Sequence, residues 1–164
     1  MARPGIAWRE GVKAGLLGAA GVAFWFFAVD LVAGRPLYTP ALLGKSMLSV
    51  LGHGIDESTL FYAAAYTVFH VLAFVGVGFV ASTLLEAARR APQIAAGLAL
   101  FFAVFEVGFY FLAMAISGPA LLGALAWYQI GAANLIAAGL MGGYLWRQHP
   151  EFGAALGHAL DGSV

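Results

Sequence analysis

Apolar residues in this chain come in long runs broken by short polar connections. Four runs, at roughly 12–33, 60–85, 94–116 and 120–146, each reach the ~20 mainly apolar residues that a helix needs to cross a bilayer. Lipid offers no water to open backbone groups, so a spanning segment of this kind is read as helix. Between the first two runs, Thr39-Pro40 reads as an N-cap with proline at the first helical position. Leu42, Leu43, Met47, Val50 and Leu51 then form an apolar stripe opposite Lys45, Ser46 and Ser49, which predicts a short surface helix at about 40–51. A re-entrant segment packed on the bundle is the alternative. Ser117-Gly118-Pro119 is a tight turn that makes the third and fourth spans a hairpin. The pattern predicts an all-α membrane protein in one domain, residues 1–164. Its fold is an antiparallel four-helix transmembrane bundle with a surface helix after the first span and a tail at 147–164.

Small and polar residues recur at spacings of three and four within each span, and such stripes mark helix–helix contacts in membranes. On the first span the stripe is Gly15, Ala19, Ala23, Phe26 and Asp30; on the second, Ala63, Tyr66, His70, Ala73, Val77 and Ala81. The third has Ala99, Ala103, Glu106, Tyr110, Ala113 and Ser117, and the fourth Gly131, Asn134, Ala138 and Gly142, with Gln129 on another face. Gly139 and Gly143 add a G-x-x-x-G spacing that permits close backbone approach.

Ionisable residues at membrane depth are costly and mark candidate sites. At 1.5 Å per residue, His70 and Glu106 each lie ~15 Å from the outer end of their helices, Gln129 ~14 Å and Asn134 ~21 Å. The expectation is a polar layer of His70, Glu106, Gln129 and Asn134, with Tyr66 and Tyr110 nearer the outer mouth. Asp30 falls only ~5 Å from the outer end of the first span, where an ion pair with Arg35 is expected to fix the rim. Such a layer either fastens helices, binds a lipid-soluble ligand, or passes protons or ions.

Composition agrees with lipid as the solvent: 62% of the 164 residues are hydrophobic and only 10% charged, against about 25% charged in soluble domains. Formal net charge is zero, so nothing points to nucleic acid. Cysteine is absent, which removes disulfides, thiolate metal sites and iron–sulfur clusters. One Glu and one His in the expected layer fall short of a di-iron carboxylate set, and no metal site is predicted. Arg3, Arg9, Lys13, Arg89, Arg90 and Arg147 lie on one side of the predicted topology, Arg35 and Lys45 on the other; both termini are therefore expected in the cytoplasm. The first apolar run is too long for a signal peptide and is read as a retained helix. Trp127, Tyr128, Tyr144 and Trp146, near the ends of the fourth span, suit interfacial anchoring.

The stretches FWFFAVDLVAGRPLYTPALLG, YTVFHVLAFVGVGF and MGGYLWRQHP resemble small four-helix integral membrane proteins of bacteria that remain uncharacterised. The resemblance implies a bacterial inner-membrane location and no activity, and it suggests that Asp30 to Pro40 acts as a unit. The expected role is a non-catalytic accessory or scaffolding subunit of an energy-converting complex. It would be surrounded by membrane lipid and pack against other membrane subunits or copies of itself. The alternative is a small binding protein or enzyme for a lipid-soluble ligand (quinone, carotenoid or haem-like) at His70 and Glu106. No cofactor is predicted outright.

Overall fold

A computed structural model describes residues 4–50, 52, 58–88 and 127–149. Among these residues the chain forms four helices and no strand: α1 (Pro4–Val32), α2 (Tyr38–Val50), α3 (Thr59–Ala88) and α4 (Trp127–Gln148). The expected third span, 94–116, lies outside the described residues, as do Glu106 and Tyr110.

Two of the helices are long and apolar enough to cross a membrane: α1 over Trp8–Val32, with mean hydropathy 1.9, and α3 over Thr59–Ala87, with 2.2. α1 begins well before the expected residue 12, because Arg9 and Glu10 are good helix formers that a hydropathy run leaves out. α4 falls short of the same measure; Gln129, Asn134 and its glycines dilute it. The 13 residues of α2 rise only ~20 Å, less than the ~30 Å of a hydrocarbon core.

α1 lies between α3 and α4 and runs antiparallel to both. Its N-terminal part meets the C-terminal part of each partner: Gly11 approaches Phe79 and Ser82, and Glu10 meets His149. Glycine sets the α1–α3 distance. A Cβ on Gly11 would come within 2.8 Å of the Phe79 Cα, and one on Gly78 within 2.6 Å of the Gly15 backbone nitrogen. Neither fits, so the two backbones touch directly, as small-residue interfaces in membranes do. α2 docks on α3 the same way, since a Cβ on Gly44 would run into the Tyr62 carbonyl oxygen. Its buried residues are Thr39 and Gly44, while Leu42, Leu43 and Met47 are half-buried.

The expected stripe on α4 is corrected by about one residue, or ~100° of rotation. Ile130, Ala133, Ala137, Met141 and Leu145 are buried, whereas Gly142 is exposed and Asn134 and Ala138 half-buried. The reason lies on α1: Gly18 and Gly21 leave hollows, and Met141 fills the first while Leu140 and Ile136 lean on the second. Ala23 of α1 and Ala73 of α3, expected inward, are also exposed.

Among the described residues much large apolar surface faces outward, while a few polar side chains are buried. Buried positions are mostly small or medium, with Asp30, Thr39, His70 and Ser82 among them. Large apolar side chains point outward, including Phe24 (75% exposed), Leu60 (68%), Leu72 (65%) and Leu135 (65%).

Candidate functional site

The site is built around the corner between α1 and α2. α1 ends in a Schellman motif: the Arg35 N–H donates to the Asp30 carbonyl oxygen (2.9 Å) and the Gly34 N–H to that of Leu31 (3.0 Å). Gly34 takes φ +67°, the left-handed conformation that this motif asks of its C′ residue. The chain then turns through Pro36 and Leu37, where Leu37 itself has φ +66°. A leucine there is strained. Its carbonyl oxygen accepts the first helical bond of α2, from the Ala41 N–H at 3.1 Å.

Leu37 thus occupies the cap position of α2 but has no side-chain acceptor to offer. Asp30 supplies one from the end of the preceding helix. Its carboxylate oxygens accept from the Thr39 backbone N–H and from the Thr39 hydroxyl, each at 2.7 Å. The first-turn donors of α2 are then all accounted for. Tyr38 N–H donates to the Arg35 carbonyl, Thr39 N–H to Asp30, and Pro40 has none. Thr39 is therefore not the cap it resembles in sequence but the group being capped. The contact between Asp30 and Arg35 runs through the backbone, and the Arg35 guanidinium lies over the Tyr38 ring, 4.1 Å from its centroid.

Facing α1 about three turns before Asp30, α3 carries His70. It is buried at 8% exposure, and its Nε2 lies 3.2 Å from the Ala19 carbonyl oxygen of α1. A carbonyl only accepts, so the proton sits on Nε2. The imidazole is stacked along α3 between Tyr66 and Phe74, with centroids 5.5 and 4.7 Å away.

Asp30, Thr39, Tyr66 and His70 line one cavity of about 210 Å³ between α1, α2 and α3. α1 contributes Val22, Ala23, Phe26 and Phe27 to its wall; the corner and α2 contribute Leu37, Pro40 and Leu43. Thr67 also faces it, with its hydroxyl donated to the Ala63 carbonyl of its own helix. Depth along the helices groups His70 with Glu106, which lies outside the described residues, and sets Asp30 apart at the rim. The structure joins His70 and Tyr66 to Asp30 through this shared space.

Among the described residues, the other expected site residues lie elsewhere. The Gln129 backbone carbonyl accepts from the Trp25 indole N–H at 3.0 Å, tying α4 to α1. Asn134 has a buried Nδ2 with no hydrogen-bond partner. Gly139 and Gly143 are exposed, and a Cβ on either would meet no described residue within 4 Å. The Glu10–His149 pair, at 2.9 Å, has no signal in the sequence, because both residues sit outside the apolar runs. Among the described residues no group of three or more His, Asp or Glu is placed to hold a metal ion. No family model, curated protein or solved structure matches this chain.

Proposed function

We propose that this protein is a non-catalytic integral membrane component, an accessory or scaffolding subunit that packs against other membrane proteins. The observation that carries the reading is the amount of large apolar surface turned outward on the long helices, with Asp30, His70 and Ser82 buried. In water that arrangement exposes apolar surface without return, whereas in lipid it satisfies both sets of groups.

Three further features support a multi-pass topology with both described ends on the same side of the membrane, which the Lys and Arg distribution of the sequence assigns to the cytoplasm in our reading. The Glu10–His149 contact sets the start of α1 beside the end of α4. α3 and α4 run parallel to each other, which calls for one more crossing between them, as the expected third span would supply. Tyr128 and Trp146, exposed at 60% and 47% at opposite ends of α4, stand ~27 Å apart along the axis, close to the thickness of a hydrocarbon core. The exposed face of Gly139, Gly142 and Gly143 would let a partner helix approach closely.

The test is the native mass of the protein extracted from its own membrane in a mild detergent. Excess mass that resolves into other polypeptides is the expected result. A lone chain, stable through extraction and carrying no other polypeptide, would overturn the subunit role.

A further inference from the structure

The cavity at the α1–α2 corner holds hydrogen-bonding groups that the fold itself leaves unused. His70 gives its one N–H to Ala19, which leaves Nδ1 as an acceptor with no protein partner among the described residues. The Tyr66 hydroxyl likewise has no hydrogen-bond partner there. The two residues are one helical turn apart on α3 and both line the cavity. A donor and an acceptor side by side match a group that is both at once, and a hydroxyl is the simplest such group.

The rest of the wall narrows the choice. Phe26 and Phe27 join Tyr66 and His70 in presenting rings, a surface suited to a flat ring. Among the described residues no lysine or arginine lines the cavity, and its carboxylate, Asp30, is bonded to Thr39; a phosphate or fatty-acid carboxylate finds no counter-charge among them. A plain acyl chain would leave the Tyr66 hydroxyl and the His70 nitrogen unpaired, which is costly out of water. A volume of about 210 Å³ is below the roughly 300–1,000 Å³ of sites that enclose whole drug-sized ligands, so it suits one ring and not a ring with its tail. Phe27 and Leu37, both exposed, leave a way out for the remainder.

We propose that this cavity binds a lipid-soluble phenol or quinol, with its ring among Phe26, Phe27, Tyr66 and His70. The ring hydroxyl donates to His70 Nδ1 and accepts from the Tyr66 hydroxyl, and the apolar tail leaves past Phe27 and Leu37 into the bilayer. The proposal rests on the membrane reading, because only a membrane delivers such a ligand to this opening.

The test is titration of the full chain in dodecyl maltoside micelles with 4-nonylphenol, and separately with its methyl ether, which has no proton to donate. The phenol should bind one equivalent per chain and the ether at least about tenfold more weakly, since a buried acceptor then stays unpaired. Tyr66→Phe should weaken phenol binding about fivefold, and Ala23→Phe, which fills the cavity from α1, should abolish it while the melting temperature holds. Equal binding of phenol and ether, unaffected by either variant, would overturn the proposal. A co-purifying phospholipid that 4-nonylphenol fails to displace would overturn it too. Carbonate extraction of the membranes reads residence in lipid separately, so an empty cavity and a misplaced chain give different results.

Discussion

Replacing Asp30 by alanine removes two hydrogen bonds at once and uncaps a helix. The carboxylate is 3% exposed and accepts from the Thr39 N–H and hydroxyl at 2.7 Å each. Hydrogen bonds to a charged group contribute roughly 1.5–3 kcal/mol apiece, and loss of a cap alone costs about 0.5–2 kcal/mol. Against this, alanine avoids the cost of keeping a carboxylate away from water. The balance predicts that Asp30→Ala destabilises the protein by about 2–4 kcal/mol. Asp30→Asn should cost only about 1 kcal/mol: the amide oxygen can still accept from the Thr39 N–H, and the amide nitrogen can donate to a Thr39 hydroxyl turned to accept. Thr39→Val removes the hydroxyl bond and keeps the backbone one, so it should fall between the two. The assay is unfolding in mixed micelles, followed by far-UV circular dichroism, with a double-mutant cycle over Asp30 and Thr39. A coupling energy within error of zero, or Asp30→Ala as stable as the native chain, would refute the idea that this carboxylate caps α2.

Gly78→Leu should separate α1 from α3 and cost about 3 kcal/mol or more, because its Cβ meets the Gly11 and Gly15 backbones; thermal unfolding in detergent checks this. Gly139→Ala should change the stability of the isolated chain by less than about 0.5 kcal/mol, and if the face receives a partner, co-purification of that partner should fall. Trp25→Phe should lose about 1 kcal/mol with the bond to the Gln129 carbonyl, measured by the same unfolding assay. Glu10→Gln should cost about 0.5 kcal/mol, as the loss of a partly exposed hydrogen bond to a carboxylate does, measured by the same unfolding assay.

The long apolar runs of α1 and α3 were legible in the sequence because length and hydropathy alone define them, and the short helix α2 was placed within about two residues. Helix faces were less legible. Every span is apolar nearly all round, so the choice of inward face fell to small and polar residues. That choice worked for Gly15, Ala19, Asp30, Ala63 and His70, which are buried. It failed on α4, where Met141 and Leu145 turn inward because glycines on α1 leave room for them. The G-x-x-x-G spacing was equally ambiguous. Gly11 and Gly15 form a close contact with α3, whereas Gly139 and Gly143, with the same spacing, are exposed; only the partner helix distinguishes them.

The corner shows a different limit. Asp30 through Pro40 does act as a unit, but its chemistry was misassigned. An aspartate five residues before an arginine reads as an ion pair, and a threonine before a proline reads as a cap. The Schellman turn at Gly34 and the left-handed Leu37 bring Thr39 back to Asp30 instead; Gly34 and Pro36 signal the helix stop, but nothing in residue type signals a left-handed leucine. The cavity follows from the same turn, since it exists only because α2 folds back onto α3. That is why His70 and Tyr66 could be singled out by depth while their neighbours Phe27, Leu37 and Thr39 could not.

The central claim is that the outward apolar faces of α1 and α3 meet lipid. The chain has no cysteine, so Phe24→Cys and Leu72→Cys each offer one attachment point for a nitroxide spin label in reconstituted vesicles. The account predicts frequent collision of both labels with oxygen, which concentrates in the bilayer, and little with a water-soluble nickel chelate. Ready access of the nickel chelate to both labels would contradict it.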